Sequence, residues 1–215
     1  MNFYYNLMFP YRAPDMPEKA SAADLAVECV KKFSRSTLQR CAKVTAGKKI
    51  PLEAIFWDQF YLAFLKVTPE SVPLIPQAPT LLQPAKSPLA KVVDRARGSR
   101  SNTKEVKGFI DLFANGPLQH GYEILRDGTR DEHARRFLKP TGRYSAMDYA
   151  DRLVLDFIVV ADRNFPPREP RDFPPLSPVV EKLKVVATFA FNKDFTQCAY
   201  KLPSGSIGQF NLEQP

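Results

Sequence analysis

The chain has 215 residues, 44% apolar and 25% charged, which suits one sizeable domain with a real core and excludes a disordered segment. Thirty-one Lys and Arg against 23 Asp and Glu leave a net charge of +8, which favours polyanions: nucleic acid first, an anionic membrane second. Cys29, Cys41 and Cys198 form no CxxC pair, so neither a zinc site nor a disulfide framework is indicated, and a reducing compartment fits.

Residues 1–20 read as an N-terminal extension. MNFYYNLMFP has no basic n-region and no long apolar h-region, so it is not a conventional signal peptide. The longest apolar strand, LVLDFIVVA, is too short to span a bilayer and carries Asp156. A soluble intracellular protein with no membrane partner is expected.

From Ser21 a helix is signposted by its cap, by Asp24 three residues on, and by Leu25, Cys29 and Phe33 on one side. Its far end is basic and Gly47 is expected to end it. Pro51 then opens a second helix, PLEAIFWDQFYLAFLKV, apolar nearly all round and therefore buried. Glu53 lies on its stripe with Trp57, Phe60 and Phe64; the helix dipole alone would favour a carboxylate there.

Residues 69–88 hold Pro69, Pro73, Pro76, Pro79, Pro84 and Pro88, too many for a helix or central strand, so an irregular loop or extended arm is expected. A basic segment follows with Arg95, Arg97, Arg100, Lys104 and Lys107, of a kind that contacts phosphates. Strands are predicted near 107–113 and 118–126 around Asn115-Gly116. Thr129 with Glu132 offers a capping box for a helix through EHARRFL. A buried strand, DRLVLDFIVV, a proline-rich loop over 166–178, and a closing hairpin of KLKVVATFAF and FTQCAYKL complete the chain. The order predicts a mixed central β-sheet flanked by helices, an α/β (α+β) class. Neither GxxxxGK[ST] nor GxGxxG occurs, so no nucleotide cofactor is indicated.

One carboxylate sits in each half of the predicted hairpin: Asp111 amid Phe109, Ile110, Leu112 and Phe113, and Glu123 amid Tyr122, Ile124 and Leu125. A charge in an apolar strand is costly unless a partner or metal compensates it. Two or three carboxylates suit Mg²⁺, a hard oxygen-seeking ion that can activate water and offset phosphate charge. A shared metal needs both side chains on one face. A two-residue Asn-Gly turn would separate them; a three-residue turn, pairing Asp111 with Gln119, or a bulge at Gly121 would join them.

A helix with a carboxylate, a strand with Asp and a strand with Glu form the skeleton of the restriction-endonuclease-like, PD-(D/E)XK, fold. GFIDLFANG, YEILRDG, DEHARRF, GRY and LVLDF together resemble the nuclease-like domain of Crinkler-type effectors of fungi and oomycetes. EAIFWDQFY and FNLEQ resemble that family's flanking segments. The resemblance implies one restriction-endonuclease-like domain over 21–215, with a core from 50 to 213 and proline-rich loops at 69–88 and 166–178.

It further implies a Mg²⁺-dependent (or Mn²⁺-dependent) endodeoxyribonuclease that engages DNA, with Asp111 and Glu123 holding the metal. Glu53 would be a third carboxylate, and Arg126, His133 and Arg136 match the motif that follows; His133 could be a base or a phosphate contact. Arg130 and Arg136 belong to a basic cluster expected, like the segment at 95–107, to touch phosphates. Secretion, a host nuclear destination and host nuclear protein partners follow from the resemblance alone. Trp57, Gln59 and Leu125 depart from the family or superfamily pattern; Leu125 stands where the superfamily has Lys. A catalytically degenerate module binding DNA or a host protein is the alternative, and a purely structural interaction domain a third.

Overall fold

The computed structural model describes residues 20–45, 48–69, 71–79, 109–115, 118–126, 129–138 and 151–212. The expected phosphate contacts Arg95, Arg97, Arg100, Lys104 and Lys107 lie outside them.

Ser21 caps α1 (Ala22–Lys31) by accepting from the Asp24 N–H at 3.1 Å, and Leu25, Cys29 and Phe33 are buried as their spacing predicts. The helix does not run on to Gly47. Ser34 takes an extended backbone and its side chain accepts from the Thr37 N–H, starting α2 (Arg35–Cys41). A serine that bonds nearby backbone offers an alternative to helix continuation. Gln59 holds the break in place: its carbonyl accepts from the Ser34 N–H at 2.7 Å. A small antiparallel hairpin, β1 (Ala42–Thr45) and β2 (Lys48–Pro51), follows. Pro51 ends this hairpin, and α3 (Glu53–Val67) starts two residues later.

The main sheet has seven strands in the order β3-β4-β5-β6-β7-β8-β9. They are β3 (Leu74–Pro79), β4 (Phe109–Ala114), β5 (His120–Arg126), β6 (Asp151–Val160), β7 (Val186–Asn192), β8 (Gln197–Lys201) and β9 (Ile207–Asn211). β5–β6 and β6–β7 are parallel; the outer pairings are antiparallel. The mixed sheet is therefore as predicted in class, with two strands more than its sequence advertised. β3 falls inside the proline-rich stretch expected to be a loop, and it is an edge strand, where a missing N–H need not break a ladder. β9 extends the sheet beyond the closing hairpin, where the sequence signals no further strand. The 166–178 segment is also more ordered than a loop: 3₁₀ turns at Asp162–Asn164 and Pro170–Asp172 lead to α5 (Pro178–Leu183). Lys184, left-handed at φ 50°, ends α5 before β7 begins.

One face of the sheet is covered by α1, α2 and α3 around a cluster of aromatic rings. Phe56 stacks on Phe157 at 4.8 Å between centroids, and Phe60 meets Tyr122 at 5.0 Å. Ala22, Leu25 and Leu38 belong to this cluster, so the core reaches back well before residue 50. On the opposite face α4 (Arg130–Arg135) and α5 cover Leu125, Val154 and Val186 with Ala134, Phe137 and Val180. The α4 crossover is what allows β5 and β6 to run parallel. No helix of the described residues is long and apolar enough to cross a membrane.

Candidate functional site

The β4–β5 ladder pairs Leu112 with Tyr122, Phe113 with Gly121 and Ala114 with His120. Residues 115–119 thus connect the strands, a longer connection than either turn the sequence suggests. Neither the two-residue turn nor the pairing of Asp111 with Gln119 occurs. The ladder ends at Leu112 and Tyr122, the residues next to Asp111 and Glu123, in a register that the Asn-Gly signal did not indicate.

Regular alternation fails at Asp111. Ile110 and Leu112, two residues apart, pack in clusters on opposite faces of the sheet. Across β3 the register skips the level of Asp111, where Gln77 has φ 48°. A non-glycine residue at positive φ costs on the order of 1 kcal/mol and persists only where surroundings enforce it. The Asp111 Oδ2 accepts from the Ile124 N–H of β5 at 2.7 Å.

Electrostatics report the same proximity. Burial, then the neighbouring Glu123 charge, push the Asp111 carboxyl up from 3.8 to about 6. The Ile124 N–H opposes this, Glu53 adds to it, and His133 weakly opposes it. Glu53, exposed at the start of α3, accepts from the Arg126 N–H at 3.4 Å and stands at the rim.

Glu123 is 2% exposed and is met from α4. The Arg136 guanidinium donates to its Oε1. His133 Nδ1 is 3.1 Å from the same oxygen, off hydrogen-bond alignment, and His133 Nε2 is 3.5 Å from an Arg136 nitrogen. Glu123 Oε2 is buried with no hydrogen-bond partner among the described residues.

Of the residues singled out from sequence, Asp111, Glu123, His133 and Arg136 come together, with Glu53 beside them. Arg126 does not join. It points to the other face, as strand alternation requires, and its guanidinium donates to the Pro51 carbonyl at 3.1 Å, tying β5 to the start of α3. Arg130 is also turned inward, donating to the fully buried Asp156 of β6. The Thr188 hydroxyl lies 3.4 Å from the same Asp156 oxygen. This pairing anchors α4 under the site and had no sequence signal beyond a lone carboxylate in an apolar strand. Thr129, expected to form a capping box, bonds the Glu132 side chain through its hydroxyl at 2.8 Å, and that hydroxyl makes no bond to the helix backbone.

The donor set fits a hard divalent cation. A buried carboxylate oxygen without a partner and a neighbouring carboxyl held near pH 6 are both costs that a cation between them removes. Among the described residues no three His, Cys, Asp or Glu side chains form a metal-holding group. Asp111 and Glu123 would be two of the donors, with water filling other positions as Mg²⁺ commonly requires. No family model, curated protein or solved structure matches the chain.

Proposed function

We propose that this protein is a DNA-engaging, Mg²⁺-dependent phosphodiester hydrolase, an endodeoxyribonuclease of restriction-endonuclease-like fold related to the Crinkler-type effectors that its motifs resemble. The observation that carries this reading is the electrostatic proximity of Asp111 and Glu123 on the adjacent strands β4 and β5, with a Glu123 carboxylate oxygen buried and unpartnered. Bound Mg²⁺ or Mn²⁺ would supply an activated water and compensation for phosphate charge. Asp111 and Glu123 would hold the ion, and the Ile124 N–H fixes the Asp111 carboxylate for that task. Glu53 at the rim would orient outer waters. The net charge of +8 draws the polyanion to the surface without reading bases. Secretion and action in a host nucleus belong to the same proposal.

Nicking of supercoiled plasmid with and without Mg²⁺, beside Asp111→Ala, tests it. Metal-dependent nicking by the parent and its absence in the variant are expected. One observation favours a second reading, a DNA- or host-protein-binding module without catalysis: Arg136 and His133 already crowd one Glu123 oxygen. Salt-sensitive DNA binding with no nicking in Mg²⁺ or Mn²⁺ would select it.

A further inference from the structure

We propose that Arg136 is a catalytic residue of this site, binding the scissile phosphate and stabilising the charge that develops on it. The inference rests on the phosphodiester-hydrolase reading. In such a step the oxygen of water forms a new bond to phosphorus while the bond to the leaving ester oxygen breaks. The water's proton passes to solvent and the leaving oxygen takes one up. Between these events negative charge builds on the non-bridging oxygens, and a fixed cation beside the carboxylate pair acts on that charge at little reorganisation cost.

The strand itself has no such cation to offer. Leu125, on the same face as Glu123, is apolar and 2% exposed. Arg126 is held on the other face by the Pro51 carbonyl. Arg130 is spent on Asp156, which is buried completely. Arg136 alone among these is delivered to Glu123, and it is held there with His133 on its other nitrogen. A quarter of its side chain stays exposed while its Glu123 partner is 2% exposed, so the guanidinium lies between the buried carboxylate and the solvent from which DNA arrives. Guanidinium presents five donors in a planar fork, which lets one edge stay on a carboxylate while another takes a phosphate oxygen. With Asp111, Glu123 and Arg136 counted together, a divalent ion and one phosphodiester bring the formal charge to zero.

The test compares the full chain with Arg136→Gln and Arg136→Lys in plasmid nicking, and follows Mg²⁺ and Mn²⁺ binding through the metal-induced rise in melting temperature. Arg136→Gln is expected to slow nicking about 10²-fold, the range for losing one preorganised donor, with a metal-induced shift equal to the parent's or larger. Arg136→Lys, which keeps the charge, is expected to cleave at least about ten times faster than Arg136→Gln, by the same electrostatic argument. Nicking by Arg136→Gln within a few-fold of the parent overturns the inference and leaves the hydrolase reading standing. So does joint loss of nicking and metal shift, since that marks Arg136 as a clamp for Glu123. Should Arg136→Gln fail to fold, Arg136→Lys carries the test: lowered kcat, with or without a raised KM, supports the inference, and kcat equal to the parent's overturns it. A parent that never nicks overturns the hydrolase reading and this inference with it.

Discussion

Asp111 concentrates the tension between stability and chemistry in this molecule. Its carboxyl titrates near 6 in the folded chain and near 3.8 once exposed, so the folded state binds the extra proton and stability falls as pH rises through that window. Below about pH 4 both states are protonated and the group costs nothing; above about pH 6 the full cost is present. Asp111→Asn keeps an oxygen for the Ile124 N–H and removes the charge. Displacing the carboxyl from 3.8 to about 6 corresponds to about 3 kcal/mol, and partial exposure of Asp111 screens this to roughly 1–2 kcal/mol. Urea unfolding should therefore show the variant more stable than the parent at pH 8, with the gain gone at pH 4. Mg²⁺ should stabilise the parent by mass action and leave the variant unmoved, while nicking is lost. Equal metal stabilisation of both would remove Asp111 from the metal site. His133 stands differently, because its Nε2 already faces Arg136. His133→Ala should slow nicking by no more than about 10²-fold, the low end for an auxiliary base, with single-turnover cleavage as the measurement.

At the scale of elements the site depends on where α4 is held. Its first turn is fixed from below by Arg130 on Asp156, and from the side by Asp131, which accepts from the Ser177 N–H before α5 at 3.2 Å. Ser177 holds the Asp131 carboxyl below its ordinary value. Removing Arg130 leaves the buried Asp156 carboxylate without its guanidinium, a loss of about 3 kcal/mol by analogy with other broken buried pairs. Arg130→Ala should lower the unfolding free energy in urea titration by that amount with little change in slope, and weaken DNA binding less than it weakens the fold. If affinity for duplex DNA fell more steeply than stability, Arg130 would be a phosphate contact first and an anchor second. β3 makes a similar point about elements: its prolines exclude a central strand, and the edge is the one place in a sheet that tolerates them.

For the whole molecule, charge and aromatic packing do separate work. The rings of Phe33, Phe56, Phe157, Phe189 and Phe191 pack one face of the sheet under the N-terminal helices, leaving the α4 face for the carboxylates. The surplus of 31 basic over 23 acidic residues sets the long-range field. If about five phosphates are neutralised, log K for duplex DNA should fall with log salt at a slope of about −4 to −5. Replacing Arg95, Arg97 and Arg100 together by Gln should flatten that slope in a fluorescence-anisotropy titration. An unchanged slope would move the electrostatic contact away from that segment.

Short-range signals in the sequence determined the α/β class, the capped start of α1, the buried α3 and the central strand β6. Helical and strand periodicities are written in neighbouring residues, and burial follows from them. The pair Asp111 and Glu123 was legible too, since two carboxylates in apolar strands demand compensation wherever the strands go. Tertiary structure alone decided which face they share. The parity of a hairpin turns on a single residue of register, and here the ladder from Leu112–Tyr122 to Ala114–His120 sets it. Only the packed fold could assign Arg136 to Glu123, Arg130 to Asp156 and Arg126 to Pro51. These three arginines look alike in sequence. What distinguishes them is the direction each side chain takes from its strand or helix, and which buried acceptor lies within reach.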